Sequence, residues 1–491
     1  MISVQNHRQP SSGNKFFWLL LCLLPLFTSC ELFQKAQTTS STDDEEEEID
    51  PIQGRRVYDS ETGEYVVIEE AVTEVMDTII WEDIPPSSDP PITSETDLTD
   101  QSNPVEVLRI DNFGSEVLSS YNVSILLPFL TDQFNETSAT LPRNADWAVN
   151  FYAGAKMALD ELSSEGVVLN VNVMDSKADP SSVNRLLRSN EQLLNSHMII
   201  GPRFKDNVSM VSEYAKRYDK VLVSPYTAVT NVTNRNPNYI QVNPSLQTHC
   251  EAITRHALQR YRPDQIVLVC RDQPTEVAML QYFQEEFFRI AGTRDTTQLQ
   301  EFIISDASVD LENIDVLPFV ELADTTVFIV PSGTNENFVY SFLRKVDIAR
   351  DENTHIAVYG LPQWLRFLRM DYAYYERLNV HISSSSYLDP LSPDVQFFKR
   401  RFYDRFGIVP ADEAFTGYDI MLYFGRMLNK YGTKFQYSID REMERGLHTR
   451  FEFDKVVIPT VIAQENLPVE RFENQYVNIL RFRDYQFQLA E

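Results

Sequence analysis

The sequence predicts an α/β protein of two lobes, and three observations carry that expectation. From about residue 121 short apolar strands alternate with amphipathic helices. The alternation restarts after Tyr239-Ile240-Gln241-Val242, and the chain closes with two helical segments followed by hairpin-like strands. Strands that read as continuous apolar runs belong in parallel sheets covered by helices on both faces, because a strand with one face in water alternates instead. Two such series make two βα sandwiches.

Val123-Ser124-Ile125-Leu126-Leu127-Pro128 reads as a buried strand, and Ala148 to Leu162 carries apolar residues at helical spacing. Strand 167–173, helix 181–194, strand 198–201, helix 206–217 and strand 221–224 complete the first series. The second series runs through helix 246–261, strand 266–270, helix 276–290, strands 302–304 and 326–330, helix 336–350, and strands 356–359 and 380–382. Helices over 394–406 and 413–431 come next, then strands around 451–453, 476–482 and 485–489. Each lobe is expected to be completed by a distant segment: 121–243 by 388–436, and 244–384 by 449–491. The crossings fall near Asn243-Pro244, at 384–387 and at 436–448, and three crossings make a hinge.

Charge divides the remainder of the chain. The 491 residues hold 43 Lys+Arg against 72 Asp+Glu, a net −29, and the longest basic run is Lys399-Arg400-Arg401. Nucleic acid is therefore excluded as a partner, since phosphate binding needs basic patches that displace counterions. Residues 1–30 contain Arg8 and Lys15 and no acid, residues 31–120 contain 24 acids and 4 bases, and residues 121–491 carry only −11. A stretch as acidic as 31–120 cannot bury enough apolar surface to offset its ordering entropy, which makes it a disordered tether. Its run Asp43-Asp44-Glu45-Glu46-Glu47-Glu48 is either a solvated spacer or a sorting signal. Two apolar islands interrupt it, Tyr65-Val66-Val67-Ile68 and Met76-Asp77-Thr78-Ile79-Ile80-Trp81. Islands of this kind add strands to neighbouring surfaces.

The apolar stretch 16–27 is short of the roughly 20 residues that span a bilayer, and it follows two bases, as in a secretory signal peptide over 1–29. Phe27-Thr28-Ser29-Cys30 resembles a bacterial lipobox. That resemblance implies acylation at Cys30 and a lipid anchor in the bacterial cell envelope, at the outer membrane on its periplasmic face or its surface. An ordinary signal peptide with a chance cysteine is the alternative. Beyond the anchor only Cys250 and Cys270 remain, in a compartment that permits disulfides. A bridge between them is within reach if the helix carrying Cys250 runs back along the strand that ends at Cys270, and two buried free thiols are the simpler alternative.

Motifs for chemistry are missing. G-x-S-x-G, the P-loop, G-x-G-x-x-G, H-E-x-x-H and CxxC do not occur. His249-Cys250 with His256 lacks a carboxylate in register for a metal. The reading is a protein without catalysis, metal or cofactor.

Ile125-Leu126-Leu127-Pro128-Phe129, Phe151-Tyr152-Ala153-Gly154-Ala155-Lys156-Met157-Ala158, Ile199-Ile200-Gly201-Pro202, Leu222-Val223-Ser224-Pro225 and Tyr239-Ile240-Gln241-Val242-Asn243-Pro244 recur in the order of a known family. With the stretch from Phe397 to Asp419, ending Gly417-Tyr418-Asp419, they resemble the type I periplasmic-binding-protein superfamily, in the branch of leucine/isoleucine/valine-binding proteins and receptor ligand-binding domains. The resemblance covers about 121–491 and implies a hinged clamp that closes on a small molecule, as in substrate-binding proteins of ABC transporters. In amino-acid-binding members the turn after the third strand supplies a Ser for the ligand carboxylate, and the turn after the fourth a Thr for its ammonium group. Here Lys205 stands near the first position, and Ala228, with Thr227 beside it, near the second. The turn opening the second lobe reads Arg271-Asp272-Gln273-Pro274-Thr275 and lacks the family's Tyr-Gly.

The cleft candidates are thus Arg203, Lys205, Tyr226, Thr227, Gln273, Ser332, Trp364 and Tyr387. Arg203 and Lys205 either favour an anionic group or are solvated loop cations. Trp364 offers a stacking wall or packs into its lobe. Ser332 heads a Ser-Gly-Thr-Asn run that caps a helix or faces ligand. Tyr387 is placed on a hinge strand. Two functions fit: a membrane-anchored protein that captures or senses a small polar ligand by lobe closure, or a scaffold or regulator with a degenerate cleft. The second would act on an envelope partner in peptidoglycan synthesis or secretion.

Overall fold

Two short strands, β1 (Arg55–Tyr58) and β2 (Tyr65–Ile68), pair antiparallel with Tyr58 opposite Tyr65, so the apolar island at 65–68 meets a partner close by in sequence. The computed structural model describes residues 114–135, 141–142, 144–292, 298–305, 314–320, 324–351, 353–457 and 469–490, together with the backbone of β1 and β2. Cys30, the acidic run 43–48 and the island at 76–81 lie outside the described residues.

The first lobe is built on β3 (Tyr121–Leu127), β4 (Leu169–Asp175), β5 (Met198–Ile200), β6 (Val221–Ser224) and β7 (Tyr239–Gln241). The second uses β8 (Ile266–Arg271), β9 (Gln300–Ile304), β10 (Thr325–Val330), β11 (His355–Gly360) and β12 (Val380–Ser384). Three late strands, β13 (Met443–Arg445), β14 (Arg450–Val457) and β15 (Val469–Asn474), join the first sheet, and β16 (Asn478–Arg483) and β17 (Gln486–Leu489) join the second. The sheet orders are β13-β14-β15-β7-β6-β5-β3-β4 and β17-β16-β12-β11-β10-β8-β9. All pairs among β3–β7 and among β8–β12 are parallel, as is β7 with β15. The outer pairs β13–β14, β14–β15, β12–β16 and β16–β17 are antiparallel.

The period of two in each strand explains why both faces need cover. Val123, Ile125 and Leu127 enter one core of the first lobe and Leu126 the other; Val221 and Val223 part from Leu222 in the same way. In the second lobe Phe328 and Val330 face one core while Val327 and Ile329 face the opposite one.

Helices 146–164 and 412–431 seal the first core by crossing unusually close. A Cβ on Gly154 would lie 1.8 Å from the Ala414 carbonyl oxygen, and one on Gly417 would lie 1.9 Å from that of Phe151. These are the glycines of the Ala-Gly-Ala and Gly-Tyr-Asp motifs, so both motifs describe one crossing seen from its two sides.

The C-terminal segment corrects one expected boundary. Residues 449–491 do not all complete the second lobe, because β14 and β15 pair into the first sheet and only β16 and β17 reach the second. The third crossing therefore lies at 475–477, not at 436–448. Strand β15, Val469-Glu470-Arg471-Phe472-Glu473-Asn474, has no apolar run to announce it; Arg471 and Glu473 are buried as a pair, 2.5 Å apart. Helix 181–194 is likewise two helices, 180–189 and 191–194, parted at extended Asn190, whose side chain accepts from the Leu193 N–H.

Candidate functional site

Between the lobes, beside the crossings, lies a cavity of about 220 Å³. At roughly 30 Å³ per water it has room for about seven waters or one small solute. From the first lobe, Pro225, Tyr226, Val242 and Asn243 reach it from the ends of β6 and β7, and Asp412, Glu413 and Thr416 from the start of helix 412–431. Arg366 enters from the second lobe, and Ser385 and Ser386 lie on the second crossing. Asp412 and Glu413 on one wall and Arg366 on the other make no ion pair among the described residues, so the two walls present opposite charge. The Tyr226 phenol is buried at this boundary, and burial, with the Glu413 carboxylate nearby, raises its pKa so that it stays protonated.

Two buried carboxylates hold the surrounding loops. Asp419 accepts the backbone N–H groups of Leu447, His448 and Thr449 at 2.7, 3.0 and 3.0 Å, and its Oδ2 lies 3.1 Å from His448 Nδ1. His448 in turn places Nε2 2.9 Å from the Thr416 hydroxyl, and its carbonyl accepts the Tyr387 N–H of the second crossing at 2.8 Å. Glu473 accepts from the Ser245 N–H at 2.8 Å and the Thr248 hydroxyl at 2.6 Å, which fastens the first crossing to β15. The crossings thus end on charged anchors whose desolvation is offset by multiple hydrogen bonds.

The structure brings together three of the cleft candidates. The Arg203 guanidinium stacks 4.5 Å from the Trp147 ring and 5.7 Å from that of Tyr226, and the Thr227 hydroxyl donates to the Arg203 carbonyl at 3.3 Å. Tyr226 alone of these lines the cavity; Lys205 is the exposed first residue of helix 205–217. Tyr387 lines a separate recess of about 80 Å³ with His448 and Asn478.

The second-lobe candidates point elsewhere. Trp364 is 1% exposed in the core, stacked near Phe367 and Tyr375, and its Nε1 donates to the Ser332 carbonyl at 2.8 Å. It is no stacking wall, because a flat ring this large is stabilised more by core packing than by a wet cleft. Ser332 is fully buried and donates to Glu276, which also accepts from Arg271. The helix cap is Asn335, whose side chain accepts from the Phe338 N–H. Gln273 occupies the N-cap position of helix 274–291. Cys250 and Cys270 are free and pack in one apolar cluster, so the bridge held open from the sequence is absent.

Sequence reasoning missed Asn243, Arg366, Asp412, Glu413, Thr416 and His448. Arg366 is two residues past the Trp that drew attention, and in a short helical turn those two side chains leave in different directions. Asp412 and Glu413 open helix 412–431, where acids in the first turn are common, so nothing in the sequence sets them apart.

Several comparisons place the chain. Residues 151–434 match the model of the receptor family ligand binding region. A candidate branched-chain amino acid ABC transporter from Rhodospirillum rubrum is 13% identical over 76% of this chain and 100% of its own, with a TM-score of 0.53. An ABC transporter substrate-binding protein from Desulfitobacterium hafniense, in complex with Leu, is 14% identical over 76% of this chain and 100% of its own, with a TM-score of 0.47. No curated protein matches. At such identities the likeness to solved structures is one of fold, and the family match spans more than half of the residues. The chain belongs to the receptor family ligand-binding region family and has the two-lobed type I periplasmic-binding-protein fold.

Proposed function

We propose that this chain is a lipid-anchored protein of the bacterial cell envelope whose lobes close on a small polar ligand, to capture or to sense it. The observation that carries the reading is the cavity at the crossings, with Asp412 and Glu413 on one lobe and Arg366 on the other, none of them in an ion pair among the described residues. A solute with hydrogen-bonding groups of both signs satisfies both walls at once, and closing excludes the water that screens them. Arg366 forks onto two oxygens of an anionic group. Anchoring rests on the signal-like stretch and Cys30.

Thermal-shift screening of amino acids, short peptides, cell-wall fragments and nucleosides tests the binding step. A ligand at about 100 times its Kd stabilises by about 2.7 kcal/mol, a shift of several degrees. Arg366→Ala should abolish that shift and leave the unliganded melting temperature unchanged. Flat melts with every class would sink the reading. Incorporation of labelled palmitate, lost in Cys30→Ser, tests the anchor separately.

A further inference from the structure

The first lobe carries, away from the cleft, a groove of about 950 Å³ between helices 180–189 and 205–217. Leu187, Met210 and Tyr214 line it with their apolar parts. Tyr218, 44% exposed, extends that surface with its ring 4.6 Å from the Tyr214 ring. Cations dominate the rest: Arg188, Lys216 and Arg217 against Glu213 as the one acid in the lining.

The sign of this lining runs against that of the molecule. The chain carries −29, whereas the groove holds three cations to one acid. Arg188 and Arg217 are exposed and form no ion pair among the described residues, while Lys216 donates to the Asn234 carbonyl at 2.6 Å. Two guanidinium groups left open beside half-exposed aromatic and thioether surface are a recognition surface for carboxylates attached to something apolar. Helices of 10 and 13 residues give a groove roughly 15–20 Å long, about five residues of extended chain. A bilayer surface is too flat to reach a floor between two helices, and a long polyanion meets the repulsion of the whole acidic domain.

We propose that this groove docks a short acidic peptide segment of a partner protein, its carboxylates on Arg188 and Arg217 and an apolar side chain on Leu187, Met210 and Tyr218. The probe is a fluorescein-labelled hexapeptide of four Glu, one Leu and one Tyr, titrated into the full chain by fluorescence anisotropy. Saturable binding should weaken about tenfold in Arg188→Glu combined with Arg217→Glu, and by a similar factor on moving from low to high salt, as expected for exposed charge pairs. Tyr218→Ala should weaken it severalfold. If the reversed-charge chain does not fold, Arg188→Gln with Arg217→Gln supplies the same readout.

No saturation up to millimolar peptide, equal binding of a peptide with Lys in place of Glu, or indifference to the variants overturns the proposal. So does a concentration-dependent dimer lost in the same variants, which gives the face to a second copy. Binding to anionic-lipid vesicles that the variants abolish gives it to a membrane.

Discussion

The carboxylate of Asp419 holds His448 twice, through its ring at 3.1 Å and through its backbone N–H at 3.0 Å. Because Leu447 and Thr449 donate to the same group, removing it leaves three backbone donors unpaired, that of Thr449 buried and those of Leu447 and His448 half-buried. Stranded buried donors cost about 1–3 kcal/mol each before relaxation. Asp419→Ala should therefore lower stability by about 3 kcal/mol in urea unfolding, with the slope unchanged. A loss under about 0.5 kcal/mol would show that this loop does not depend on its anchor.

The glycine crossing makes a sharper claim. Gly154→Ala or Gly417→Ala drives a methyl group into a backbone carbonyl of the opposing helix, and backbone cannot rotate aside as a side chain can. Each should cost about 1–3 kcal/mol. The double variant should cost less than the sum, because the first methyl already parts the helices. Additive losses in calorimetry would mean that the two contacts act independently.

Buried histidines give the stability a pH dependence of definite sign. Burial lowers the pKa of His249 to about 4, of His256 to about 3 and of His381 to about 4. Arg260 and His381 act on His256 in the same direction, as do Arg481 and Arg260 on His381, where a hydrogen bond at Asn379 opposes them. His256 also lies 2.8 Å from the Tyr359 hydroxyl. The unfolded chain takes up protons near pH 6.5 while the folded chain does not, so stability falls as pH drops from about 6.5 toward 4. For His249 the loss at pH 5 is about 2 kcal/mol. A His249→Leu variant should make the profile between pH 7 and 5 shallower by the His249 share, with the shares of His256 and His381 remaining, and an unaltered slope would remove His249 from the account.

Both thiols should be inert in the folded chain. Burial raises the pKa of Cys250, and that of Cys270 to about 12, with Glu276 and Glu301 adding to the effect on Cys270. The thiolate is the reactive form. An alkylating reagent at pH 8 should modify neither until urea is added, and intact mass should not change on reduction. A mass gain of about 2 Da on reduction would establish a disulfide instead.

Much of the fold was legible because it is written in short-range pattern. Runs such as Val221-Leu222-Val223 and Thr326-Val327-Phe328-Ile329-Val330 can only be strands buried on both faces, and the spacing within 148–162 and 413–431 can only be amphipathic helix. Strand β15 was illegible for the opposite reason: its identity depends on pairing with β7 and β14, and its charges are buried only because Arg471 and Glu473 meet each other there.

By itself the sequence determined the two βα series, the placement of acid upstream of residue 121, and the first two crossings. It also marked Gly154, Gly417 and Asp419 as motif residues without saying what they touch. Tertiary structure alone decided that the two glycines face each other's helix, that Asp419 anchors a loop 28 to 30 residues away, and that Arg366 rather than Trp364 meets the cavity. The physical reason is one of range. Periodicity and turn chemistry act over a few residues, whereas a cleft forms where segments hundreds of residues apart converge, and no local pattern encodes which side chain is left facing the gap.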